Sequence, residues 1–67
     1  MSVARVTEII SASTESYDDA VEQGITRANK TLKHVRGAWV DSHKVEVRDG
    51  KIVEHRVVMK VTFVLED

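Results

Sequence analysis

Sixty-seven residues make one small domain, which buries only about 60% of the surface its unfolded chain exposes. With no cysteine to supply disulfides or thiolate zinc sites, self-association is the remaining way to reinforce so small a core. A net charge of −1 sets up no basic field for nucleic acid, and no apolar run approaches the roughly 18 residues of a membrane span; the expectation is a soluble, cytoplasmic protein with neither as a partner.

The opening ten residues carry one arginine and a broken apolar run, which does not read as a secretory signal. From Val3 to Ile10 the chain is rich in β-branched residues and predicts a strand. Hydroxyl residues cluster from Ser11 to Ser16, where they can accept from the unpaired N–H groups of a helix start. Ser16 and Asp19 have the spacing of a capping box.

The helix is the clearest element. Tyr17, Val21, Ile25, Ala28, Leu32 and Val35 recur at steps of three and four and so share one face. Its charges follow the macrodipole: Glu15, Asp18, Asp19 and Glu22 come early, and Arg27, Lys30, Lys33 and Arg36 come late. Gly37 reads as its stop.

Two strands complete the pattern, about Ala38 to Val47 and Ile52 to Leu65, joined at Asp49-Gly50, a strong hairpin signal. A two-residue turn pairs Val47 with Ile52, His43 with Arg56, Asp41 with Val58 and Trp39 with Lys60. Alternation then assigns Ala38, Val40, Val53, Val57, Met59, Val61, Phe63 and Leu65 to the face covered by the helix. Trp39, Asp41, His43, Val45, Val47, Ile52, Glu54, Arg56, Val58, Lys60 and Val64 fall on the other. One helix cannot cover both sides of a sheet, so this mixed aromatic, aliphatic and charged surface predicts a subunit contact or ligand site. If the last strand is central, it runs antiparallel to both others, and the helix is a right-handed crossover. The fold class is α+β, in the order β-α-β-β, with a three-stranded antiparallel sheet on one helix.

Over residues 1–67 the chain resembles the dodecin family. The resemblance rests on Arg5-Val6-Thr7-Glu8-Ile9-Ile10, on Ala28-Asn29-Lys30-Thr31-Leu32, on Asp49-Gly50-Lys51-Ile52 and on the closing run from Met59 to Asp67. It implies a single dodecin-like domain, twelve copies in a hollow shell, and flavin (FMN or riboflavin) held between subunits for storage rather than catalysis. Family members that bind flavin stack the ring on a tryptophan near the start of the second strand and hydrogen-bond it with a glutamine on the last. Counted without a gap, these positions fall on Gly37 and Arg56, while Trp39 lies two residues on, on the same face, displaced by roughly 6.6 Å. The implied cofactor residues are therefore Trp39, Arg56 and Gly37. Either Trp39 takes over the stacking, or the shell has lost or remade its flavin site and holds ions or another small ligand.

Other chemistries are poorly served. His34 ends the helix, and the expected register puts His43 and His55 on opposite faces, so no metal site assembles within one subunit. Asp18, Asp19 and Glu22 read as a solvated helix start, and no hydroxyl is paired with a histidine as a nucleophile. The expectation is a binding protein without catalytic residues.

Overall fold

A computed structural model describes residues 3–65. The order is β1 (Val3–Ser13), α1 (Tyr17–Thr31), β2 (Val35–Arg48) and β3 (Lys51–Leu65), in one sheet with β3 between β1 and β2 and antiparallel to both. The expected β-α-β-β architecture is the observed one.

Local chemistry accounts for the boundaries. Ser16 is the N-cap, and its hydroxyl accepts from the Asp19 N–H at 3.0 Å. Buried Ser13 ties β1 to this cap: its Oγ donates to Asp19 Oδ2 at 2.6 Å and accepts from the Glu15 N–H at 2.9 Å. The helix stops at Thr31 rather than at Gly37, because Leu32 is already extended and its N–H closes the last turn on the Ala28 carbonyl. His34, at φ 62°, then turns the chain into β2, and its carbonyl accepts from the Val64 N–H at 3.1 Å. Val35 is consequently the first residue of a strand, not the last of a helical face. At the hairpin, Asp49 (φ 54°) and Gly50 (φ 75°) both take positive φ, as a tight turn matched to strand twist requires.

The β2–β3 register corrects the simple hairpin count. Val47↔Ile52 and Trp39↔Lys60 are as expected, but His43 lies opposite Val57, Arg56 opposite Lys44, and Val58 opposite Ser42. Val53 is an extra residue on β3 between the pairs Val47↔Ile52 and Glu46↔Glu54, and Asp41 is an extra residue on β2 that restores the count. Between these two bulges the faces of β2 are exchanged. His43 and Val45 turn to the helix side, while Ser42, Lys44 and Glu46 take the open side.

The core is small. Ala20 on the helix packs on Val57 and Met59 of the central strand, with Ile9, Tyr17, Val21 and Ile25 around them. The helix comes closest through Ala20, Gly24 and Ala28. A Cβ on Gly24 would overlap the Met59 Cε and lie 3.0 Å from the Ser11 Cβ. The radius of gyration is 13.8 Å, where a compact chain of this length has about 11 Å. The accessible surface is 5140 Å², against about 4,200 Å² for a monomer of this mass. The subunit is a long plate, 52 × 19 × 13 Å, with one face of its sheet left uncovered by the helix.

Candidate functional site on the open sheet face

The open face is built from alternate residues of all three strands. Val6, Glu8, Ile10 and Ala12 of β1 lie beside Thr62, Lys60, Val58 and Arg56 of β3. Gly37, Trp39, Ser42, Lys44 and Glu46 flank β3 on the other side. Val6, Ile10 and Trp39 are 55%, 65% and 76% exposed, so the apolar groups of this face have no cover within the subunit.

No register break separates Gly37, opposite Thr62, from Trp39, opposite Lys60. The two therefore stand on one face, about 6.6 Å apart along the strand. A Cβ added at Gly37 would meet nothing within 4 Å, which leaves the space beside the indole open. Arg56 is on the same face but four residues along β3 from Lys60, a distance of about 14 Å. Its Nη2 donates to Glu54 Oε1 at 2.7 Å, and this hydrogen bond, with the carboxylate's charge, raises the guanidinium above its ordinary pKa. The structure thus brings Trp39 and Gly37 together and sets Arg56 toward the hairpin.

Beside Arg56 lies a grouping that alternation alone did not reveal. The Val53 bulge sets Glu46 directly opposite Glu54, one step beyond Lys44 opposite Arg56. Lys44 Nζ reaches Glu46 Oε1 at 3.5 Å, so two cations form one row and two carboxylates the next.

On the helix side, the exchange of faces brings two histidines together that simple alternation places apart. The His43 and His55 rings are 5.8 Å apart, and Tyr17 lies 4.2 Å from His43. The His55 Nδ1 is buried and has no hydrogen-bond partner. The only sequence signal for this cluster would be the extra residue at Asp41, which composition does not mark. Among the described residues no group of three or more His, Cys, Asp or Glu side chains could hold a metal ion. A separate cleft of about 710 Å³ runs between β1 and α1, past Thr7, Ile9, Ser11, Gly24, Arg27 and Ala28, and contains none of the three expected site residues. No helix among the described residues is long and apolar enough to cross a membrane.

The sequence profile of one family, dodecin, matches residues 3–66 of this chain. The chain belongs to the dodecin family. A dodecin from Thermus thermophilus is 29% identical over 65 residues, spanning 97% of this chain and 94% of its own. The solved dodecin from Streptomyces davaonensis superposes with a TM-score of 0.93 at 36% identity, over 98% of this chain and 97% of that one. A calcium-chelating dodecin from Mycobacterium tuberculosis, described with a calcium-binding site, gives a TM-score of 0.81 at 29% identity, over 96% and 91% of the two chains.

Proposed function

We propose that this dodecin is one subunit of a closed homo-oligomer, a dodecamer, that binds and stores flavin between its subunits and has no catalytic role. The observation that carries this reading is the indole of Trp39, 76% exposed on an uncovered sheet face with open space at Gly37 beside it. A soluble subunit keeps so large an aromatic surface bare when a partner or a planar ligand covers it. The residues fit an isoalloxazine: Trp39 stacks on the ring, Gly37 leaves room for it, and Arg56 donates to a ring carbonyl from further along the same face. When bound, the flavin supplies a redox-active and light-absorbing ring, and the protein's part is to hold and shield it.

The Mycobacterium relative supports a second reading, a shell without flavin that holds ions. The acidic helix start is the place to look for it. There, however, Asp19 already accepts from Ser13 and Gln23, and Arg27 and Lys30 line the same hollow as Asp19 and Glu22. Flavin is therefore preferred.

The test is the visible absorbance spectrum of protein purified without added ligand, collected with its mass by light scattering. Flavin bands on a particle several times the subunit mass are expected. A folded monomer would end the oligomer reading, and a colourless assembly that stays colourless after incubation with FMN or riboflavin would end the flavin reading.

A further inference from the structure

His43 and His55 meet on the helix side of the sheet, ring centroids 5.8 Å apart, where plain alternation would separate them. The expectation of no metal within one subunit rests on that separation, which the Asp41 bulge removes. Neutral imidazole is a ligand for zinc, copper and nickel, whereas calcium and magnesium take oxygen. A zinc–imidazole bond of about 2.0–2.1 Å puts the ion about 3.2 Å from the ring centroid. Two rings sharing one ion therefore have centroids no more than about 6.4 Å apart, and the observed pair lies within that limit. The rings now lie nearly face to face, 28° between their planes, so one of them must turn an edge inward. His43 can do so, because it is exposed and the torsion that turns an imidazole has broad minima. Turning gives up its contact with Tyr17, at 4.2 Å between centroids.

We propose that His43 and His55 bind one divalent transition-metal ion, zinc or copper, with water completing its coordination. The His55 Nδ1 gives a separate reason to place a ligand here. It is buried and has no hydrogen-bond partner, and a bound cation would satisfy a lone pair that is otherwise costly to bury. The charges around the pair do not oppose a cation. Ser13 stands opposite His55 on β1 and donates to Asp19, so a carboxylate lies at this end of the helix. Asp19 also accepts from Gln23, and its bonds leave it outside the ligand set. The positive end of α1 is close by, but Asp18 and Asp19 in its first turn offset it. Val45 and Val57 are the cross-strand neighbours of His55 and His43, while Lys44 and Arg56 stand on the open face with Glu46 and Glu54. Two protein ligands leave the remaining positions to water, so the ion is exchangeable, unlike one in a closed structural zinc site. The site lies on the opposite face of the sheet from Trp39 and stands without the flavin reading.

Calorimetric titration of Zn²⁺ into the chelator-treated native protein at neutral pH is expected to show one site per subunit. The ion is also expected to raise the melting midpoint, since it binds the folded chain. Electron paramagnetic resonance of the Cu²⁺ form is expected to show coupling to imidazole nitrogen. His43→Gln and His55→Phe should each weaken Zn²⁺ binding at least about tenfold and remove the zinc-dependent rise. The first changes an exposed residue and the second keeps a ring, so neither is expected to disturb the fold. His34→Asn is the control: asparagine tolerates the positive φ at that position, and the variant should bind as the native protein does. Tyr17 ring signals in NMR should shift with Zn²⁺ in the native protein and stay in place in His43→Gln. Absence of Zn²⁺ binding by the native protein overturns the proposal. Undiminished binding in either histidine variant overturns it too, as does loss of binding in His34→Asn. An equal rise in melting with Ca²⁺ at the same concentration would overturn the assignment to imidazole.

Discussion

His43 and His55 stack on the helix side of the sheet, ring centroids 5.8 Å apart, because Asp41 is an extra residue in β2 that reverses the faces of the strand beyond it. The arrangement leaves the His55 Nδ1 buried without a partner, a cost of about 1–3 kcal/mol for such a group. His55→Phe keeps a ring against His43 and removes the unsatisfied atom. The variant is expected to melt at a higher temperature than the native protein, measured by circular dichroism. A fall in the midpoint would show that the nitrogen is satisfied in the assembled particle.

The Asp41 bulge has an opposite counterpart at Val53, and together they explain why some of the register was legible and some was not. Trp39↔Lys60 and Val47↔Ile52 can be counted from the hairpin because the two extra residues cancel outside the segment they bracket. Inside it, Lys44, Glu46 and His43 exchange sides, and nothing in the alternation around Asp41 announces the change. The helix start was legible because Ser16 and Asp19 carry a local chemical code. Its end was not, because the chain turns at His34, a residue that adopts positive φ without advertising it as glycine does. The open face and the candidate site residues on it follow from the count of one helix to three strands. Their spacing, with Arg56 about 14 Å from the Trp39 position, needed the register.

Gly24 is the point at which helix and sheet come closest, over Met59 and Ser11. Gly→Ala inside a helix ordinarily stabilises by about 1 kcal/mol. Here Gly24→Ala is expected to gain nothing, and Gly24→Val to destabilise by about 1–3 kcal/mol through overpacking. Chemical denaturation of both variants checks this; a normal helix-propensity gain for alanine would mean that the approach is looser than described.

Ser13 joins the end of β1 to the helix start through one buried hydroxyl with bonds to Asp19 and Glu15. Ser13→Ala is expected to cost about 1–3 kcal/mol, more than the loss of an exposed hydroxyl. Asp19→Asn provides the cross-check: the two changes in one chain should cost less than their sum, because they break a shared bond. Strict additivity in a double-mutant cycle would contradict the link.

The hairpin turn has a structural role. Gly50 sits at φ 75°, so Gly50→Val should destabilise by about 1–2 kcal/mol from backbone strain alone. Unchanged melting would show that the turn does not require a residue free to take positive φ at this position.

The central claim is that Trp39 holds flavin in an assembled particle, and a fluorescence titration of riboflavin or FMN into the native protein and into Trp39→Ala tests it most directly. Stacking on indole should quench flavin emission strongly and saturably in the native protein. Loss of a stacking partner worth about 1–3 kcal/mol should weaken binding by roughly 5- to 150-fold in the alanine variant while the particle mass stays the same. A flat titration of the native protein at high micromolar flavin, or equal quenching in the two proteins, would contradict the account.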